Sequence, residues 1–365
     1  MTARAAPLFA CLVLAALAGC EPEPTDGALD GGPLAEMPDR DWAWRDVPGM
    51  RCRDGSATGV GVRRVAGSRR IVVLFQGGGL CLTPETCAKN RASYGADDFA
   101  RTLDRMADRP ALSDRDGAPF ADWNAVFVPY CTGDLHAGTR ASTIPGVDGR
   151  QQFAGAANLD AVLGLLAPAA GRAEAVLLAG SSAGGYGAAP AYDRAARALA
   201  PAPVHLVDDA GPLLPALALS VALQRAFADV FGLALPADCA ACAPDAEGLA
   251  ALIPHLARRH PGHAFGLVAH AEDRAIRNLA SAVAPGCSRY GDPACRLPAA
   301  TYREGLDALD DTFAGLPNAG LFILPGDGHS ALLTVGLDEL SSDGVRLTDW
   351  LAGLSAGTAR SVGAQ

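Results

Sequence analysis

A serine flanked by glycines is the first group in this sequence that could do chemistry. Residues Gly180-Ser181-Ser182-Ala183-Gly184 follow the pattern Gly-x-Ser-x-Gly, and a short apolar run, Ala175–Ala179, leads directly into them. An Ala-rich stretch with helical character follows. That order suits a sharp strand-to-helix turn that thrusts the central serine out as a nucleophile. Glycine at 180 and 184 leaves room for the turn and for close helix-strand packing. The helix N-terminus beyond it favours developing negative charge. Ser182 holds the central place and Ser181 the variable one. A plain Gly-rich turn with a capping serine is the bland alternative.

An acyl-transferring serine needs an oxyanion hole, a base and an acid. One oxyanion donor is expected from the backbone N–H of Ala183, the other from a loop after an early strand. The run Ile71–Phe75 leads into Gln76-Gly77-Gly78-Gly79-Leu80-Cys81, where three glycines let backbone amides approach a ligand. A phosphate-cradling loop would need Gly-Lys-Ser/Thr, and no lysine is present there. For the base, chain order in α/β hydrolases is serine, acid, histidine. His329, in Pro325-Gly-Asp-Gly-His-Ser330, follows the last apolar run on a glycine-flanked loop. His205 lies inside an expected strand and reads as a core residue. His255, His260 and His263 fall in a helical or loop stretch, and His270 precedes the expected acid. Asp273 follows the fifth run, one strand before the histidine. Asp209, in Val207-Asp-Asp-Ala-Gly211, is the runner-up, and Asp327 reads as a turn residue.

The elements that must position these groups are short apolar runs separated by helical patterns. Strands are expected at 71–75, 125–128, 175–179, 203–207, 265–268 and 321–324. Helices are expected at about 153–167, 186–200, 216–231, 246–259, 272–283 and 301–314. Near-continuous apolar strands suit a sheet covered on both faces, and their alternation with helices predicts a mostly parallel α/β sheet. The stretch 212–262 is long for one crossover and is expected to form a cap over the sheet edge. Residues 284–300, with two cysteines, are expected to form a stapled loop.

The N-terminus reads as an address. Ala5–Gly19 is apolar, too short for a stable membrane span, and ends Leu17-Ala-Gly-Cys20. Small residues before a cysteine resemble a bacterial lipobox, with Cys20 as the lipidated mature N-terminus; an ordinary secretory signal is the alternative. The expected organisation is a signal peptide at 1–20, a flexible tether at 21–45, a catalytic domain at 46–356 and a disordered tail at 357–365. Membrane contact is expected only through the lipid, at the periplasmic or cell surface. Export fits the cysteines. Cys11 leaves with the signal and eight remain after Cys20. Three pairs are close in sequence, 81 with 87, 239 with 242 and 287 with 295, which leaves Cys52 and Cys131. Connectivity stays open, and Cys239-Ala-Ala-Cys242 could instead hold zinc. With 40 acidic against 30 basic residues the net charge is −10, which argues against a nucleic-acid binder and gives no help in binding an unmodified polyuronate.

Several motifs together resemble the pectin acetylesterase family, which includes the Wnt-deacylating carboxylesterase Notum. They are Cys52-Arg-Asp-Gly-Ser56, Gly77-Gly-Gly-x-Cys81 with Cys87, Tyr130-Cys-Thr-Gly-Asp134 with Gly138, Gly180-x-Ser182-Ala-Gly-Gly185 and Gly328-His329. The resemblance implies an α/β-hydrolase fold and a Ser-Asp-His triad made of Ser182, Asp273 and His329. It implies oxyanion donors at Gly77, Gly78 and Ala183 and a pairing of Cys52 with Cys131, with no metal or cofactor. The partner it implies is an ester substrate, an acetylated glycan first; a long-chain acyl ester, or a glycan-binding role without catalysis, is the alternative. Two positions depart from the family: Leu80 stands where Trp is usual and Gln76 where Glu is common.

Overall fold

A computed structural model describes residues 27–363, apart from 108, 114, 116, 285, 288 and 335. The expected signal peptide, Cys20 and the start of the tether lie outside the described residues.

Among the described residues, twelve strands and nine α-helices follow in chain order. The strands are β1 (Trp42–Arg51), β2 (Ala57–Arg63), β3 (Arg70–Phe75), β4 (Asn124–Val128), β5 (Arg140–Ser142), β6 (Gln151–Phe153), β7 (Ala175–Ser181), β8 (Val204–Asp209), β9 (Phe265–His270), β10 (Ala319–Leu324), β11 (Ser341–Ser342) and β12 (Val345–Arg346). The helices are α1 (Pro84–Lys89), α2 (Ala96–Met106), α3 (Gly155–Leu166), α4 (Ala183–Ala198), α5 (Val221–Ala226), α6 (Leu252–Arg259), α7 (Arg274–Asn278), α8 (Ala299–Ala314) and α9 (Leu347–Ser355). Eight strands form one sheet in the order β1-β2-β4-β3-β7-β8-β9-β10. From β4 to β10 neighbours run parallel; β2 is antiparallel to both β1 and β4. This is a mostly parallel α/β-hydrolase sheet.

The apolar runs are continuous because both faces of the sheet are covered. In β3, Ile71, Val73 and Phe75 pack into one core, and Val72 and Leu74 into the other. The first core takes Leu159 and Leu163 of α3, Tyr192 of α4, Leu256 of α6 and Leu309 of α8. The second takes Phe99 of α2 and Trp350 and Leu354 of α9. The 212–262 stretch lies on the helical layer. Its amide at Ala234 bonds to Ala137, and Gly305 of α8 sits close to Ala218. The expected 216–231 helix is shorter: α5 passes into a wider turn at Phe227–Phe231, which ends on Gly232.

The described segments 27–41 and 357–363 depart from expectation. Residues 27–41 were expected within a flexible tether, yet Ala28, Leu29 and Leu34 are buried. Asp30 accepts from the amides of Gly27 and Gly67 and pairs with Arg64, and Arg172 donates to the Ala28 and Gly31 carbonyls. Apolar anchors spaced through a Pro- and Gly-rich stretch hold it in place. The 357–363 segment of the expected disordered tail is likewise tied down. Val362 exchanges backbone hydrogen bonds with the free edge of β10, through Leu321 and Ile323. An edge strand with unpaired N–H and C=O groups is a template for such pairing.

Candidate active site

Ser182 stands at the junction of β7 and α4 with φ 57° and ψ −118°, a strained backbone for a residue with a side chain. The turn is possible because the neighbouring glycines allow backbone to touch backbone. A Cβ on Gly180 would lie 2.1 Å from the Gly184 carbonyl oxygen, and one on Gly184 would lie 2.1 Å from that of Phe75. The serine amide donates to the Asp209 carbonyl at 2.6 Å, which ties the turn to β8. Ser182 is also the N-cap of a sixteen-residue helix, so the first amides of α4 face the same space as its Oγ.

His329 and Asp273 meet this serine. His329 Nε2 is 2.8 Å from Ser182 Oγ, and Nδ1 is 2.8 Å from Asp273 Oδ2. Asp273 is fully buried at the N-cap of α7. Its other oxygen, Oδ1, accepts from the amides of Ala275 at 2.9 Å and Ile276 at 3.0 Å. One carboxylate oxygen is thus spent on the helix and the other on the imidazole. A serine hydroxyl, an imidazole and a carboxylate joined in this order can move a proton off the serine and stabilise the resulting imidazolium.

The runner-up acid has a different task. Asp209 accepts from Ser181 Oγ at 2.9 Å and from the amides of Ala331 at 2.8 Å and Leu332 at 3.1 Å. It therefore anchors the loop that carries His329. Burial pushes its pKa up to about 6, against the pull of those hydrogen bonds. Asp208, also buried, accepts from the Gly211 amide at 2.7 Å. Asp327 lies near Arg274 on the exposed turn, at 3.8 Å. His205 is buried in β8 and accepts from the Ala264 amide at 3.0 Å. His260 and His263 stay beside Tyr192 and Asp193, in the C-terminal half of α4.

The glycine loop after β3 lies against the serine. A Cβ on Gly77 would fall 2.9 Å from Ser182 Cβ. A cavity of about 150 Å³ opens beside Ser182, lined by Ala183, His329, Gly79, Leu80, Leu135, Tyr186, Ile276, Leu279 and Tyr290. A larger groove of about 860 Å³, along α3 and the C-terminal half of α4, does not reach the serine. Of the three glycines, Gly79 borders the cavity while Gly77 and Gly78 do not.

The structure joins Cys52 to Cys131, Cys81 to Cys87, Cys239 to Cys242 and Cys287 to Cys295. The second bridge ties Cys81, two residues after Gly79, to Cys87 in α1. The fourth staples the loop that brings Tyr290 to the cavity, where its amide also bonds Glu85 at 2.7 Å. Sequence reasoning missed the residues that hold the glycine loop from outside: Asn90, Tyr130 and His136. Its only signal was the Tyr130-Cys-Thr-Gly-Asp134 motif, which gave no role to the tyrosine.

A pectinacetylesterase family model matches residues 45–238, just over half of the chain. Among curated proteins, the chain is similar to the palmitoleoyl-protein carboxylesterase notum2 of Xenopus laevis, 34% identical over 157 residues. That match covers 40% of this chain and 30% of the relative. The palmitoleoyl-protein carboxylesterase NOTUM of Homo sapiens is also 34% identical over 157 residues, covering 41% of this chain and 30% of the relative. The chain thus matches less than a third of these relatives' length. Its fold is similar to a crystal structure of the Wnt deacylase Notum from Drosophila, with TM-score 0.61 and 21% identity over 87% of this chain and 93% of the other.

Proposed function

This protein belongs to the pectinacetylesterase family, and from that premise and the geometry of its site we propose that it is a serine carboxylesterase acting on short acyl esters, acetyl esters of an extracellular polysaccharide first. The observation that carries the reading is the line of hydrogen bonds from Ser182 Oγ through His329 to Asp273, 2.8 Å at each step. In this mechanism Ser182 Oγ attacks the ester carbonyl while His329 Nε2 takes its proton. Asp273 stabilises the imidazolium through Nδ1–H. His329 returns the proton to the departing alcohol, leaving an acyl-serine. Water, deprotonated by the same imidazole, then releases the acid and restores the serine. The Ala183 amide and the glycine-loop amides, with Gly77 and Gly78 in the roles the family resemblance implies, stabilise the oxyanion.

Cavity size supports a short acyl group. A space of about 150 Å³ suits a ligand with about six carbon atoms, the size of benzene. The curated relatives are named for a palmitoleoyl group, whose sixteen carbons need far more room. Four disulfides support an oxidising compartment and hence export, with lipidation at Cys20 as the proposed anchor. No helix among the described residues is long and apolar enough to cross a membrane.

The test is hydrolysis of p-nitrophenyl acetate, butyrate and octanoate by the parent and Ser182→Ala. The reading expects turnover that falls with chain length and vanishes in the variant, without change in unfolding temperature. Turnover retained in Ser182→Ala removes the nucleophile, and rates that rise toward octanoate remove the short-acyl assignment.

A further inference from the structure

Oxyanion stabilisation needs amides held in a fixed direction, and a run of three glycines fixes none by itself. Gly77, Gly78 and Gly79 lack the side chains that restrict backbone rotation, so their peptide planes turn freely unless groups outside the run hold them. Three side chains do so. His136 Nε2 lies 2.8 Å from the Gln76 carbonyl oxygen, Asn90 Nδ2 lies 2.9 Å from that of Gly78, and Tyr130 Oη lies 3.0 Å from that of Gly79.

In a trans peptide the carbonyl of one residue and the N–H of the next point in opposite directions within one plane. Holding the Gln76 carbonyl therefore aims the Gly77 amide. Holding those of Gly78 and Gly79 aims the amides of Gly79 and Leu80. The Gly77 backbone lies against Ser181 and Ser182, and Gly79 and Leu80 border the cavity beside the serine.

We propose that His136 is a positioning residue of the ester-hydrolysing site, its imidazole gripping the Gln76 carbonyl so that the Gly77 amide is held ready for the oxyanion, while Asn90 and Tyr130 hold the peptide planes after it. The proposal rests on the esterase reading above.

The surroundings of His136 fit one fixed state. Its acceptor is a carbonyl, so Nε2 carries the proton and donates. Burial lowers its pKa to about 4, with the Gln76 hydrogen bond pulling the other way, so the ring stays neutral at ordinary pH. The ring lies 4.6 Å from the Tyr130 ring and 5.3 Å, edge on, from Phe75. Tyr130 Oη in turn accepts from the Leu135 amide at 2.8 Å, which links two of the clamps.

The backbone shows that the position is enforced. Leu135 and His136 are consecutive non-glycine residues at φ 59° and 54°. Such a pair persists only where its surroundings over-determine it. Those surroundings are α3 and α4. A Cβ on Gly155 would lie 2.6 Å from His136 Cα, and one on Gly187 would lie 2.6 Å from His136 Cβ.

The experiment compares the parent with His136→Phe and His136→Gln. Phenylalanine keeps a ring between Tyr130 and Phe75 but cannot donate; glutamine restores an amide donor of similar reach. Three readouts are taken: kcat and KM on p-nitrophenyl acetate, unfolding temperature, and ¹⁵N order parameters of the glycine-loop amides. We expect His136→Phe to lower kcat about 10- to 100-fold with KM within about twofold. The order parameter of the Gly77 amide should fall from about 0.85 toward about 0.6. His136→Gln should recover most of both. A kcat in His136→Phe within about threefold of the parent, or an unchanged Gly77 order parameter, overturns the proposal. Should His136→Phe not fold, Asn90→Leu asks the same of the Gly79 amide. A parent that cleaves no ester refutes the esterase reading instead, and the order parameters then decide the clamp alone.

Discussion

Replacing Asp273 by asparagine separates the two tasks its carboxylate performs. Oδ1 caps α7 by accepting two amides at 2.9 and 3.0 Å, and Oδ2 accepts from His329 Nδ1 at 2.8 Å. Asparagine keeps one acceptor. With its oxygen on the helix the cap survives, and its NH₂ faces the imidazole. Nδ1 must then become the acceptor, so the ring proton moves to Nε2, which can no longer take a proton from Ser182. The flipped amide would serve the histidine, but it would set NH₂ against two backbone donors and leave buried groups unpaired, at about 1–3 kcal/mol each. The helix therefore selects the orientation that disables the base. A wrong tautomer of this kind costs about 10⁴ in kcat, or about 5.5 kcal/mol of transition-state stabilisation. Stability should move by less than about 1 kcal/mol, because the cap remains. Asp273→Ala should lose the activity and the cap together. Initial rates on p-nitrophenyl acetate and urea unfolding measure both quantities. An Asp273→Asn enzyme within tenfold of the parent would refute the assignment of Asp273 as the group that orients His329.

Three further outcomes follow from the geometry. Leu279→Ala should widen the cavity beside Ser182 and raise the octanoate-to-acetate ratio of kcat/KM by about fourfold for each methylene newly accommodated; an unchanged ratio means the acyl group binds elsewhere. His205 is pushed down to about 4 by burial, with the His263 ring adding to the shift, so the unfolded chain binds the extra proton between about pH 4 and 6.5. The stability this provides is present above pH 6.5 and lost as pH falls toward 4, up to about 3 kcal/mol, and His205→Gln should flatten that decline in denaturant titrations at pH 7 and 4.5. Cys52 and Cys131 close a loop across 79 positions, and Cys239 and Cys242 one across 3. Replacing the first pair by serine should cost about 4–5 kcal/mol of unfolding free energy and the second about 2, and equal costs would contradict chain entropy as the source.

The parallel strands and the places of Ser182 and His329 were legible because each rests on a local signal. A continuous apolar run declares a strand buried on both faces, and a strand, a glycine-framed serine and a helix in succession declare the sharp turn at Ser182. Where the signal is weak, elements were missed. β2 mixes Val60 and Val62 with Gly59, Gly61 and Arg63, and α2 offers a thin stripe of Phe99, Leu103 and Met106 among charged residues. The anchors in 27–41 and the strand-like pairing of Val362 depend on partners far along the chain. The same reason governs the two candidate aspartates. Asp209 ends β8 and Asp273 follows β9 by three residues, both before a turn, so sequence could only rank them; folding turned Asp209 toward the Ala331 and Leu332 amides and Asp273 toward His329. The clamps on the glycine loop were beyond sequence altogether. They join residues 12 to 60 positions apart, and side chain meets carbonyl only after β3, α1 and the 130–136 loop converge. Sequence thus determined which chemical groups the chain carries and where backbone must turn, since both are local. Tertiary structure alone decided which polar groups face one another, because a hydrogen bond depends on distance and direction in space.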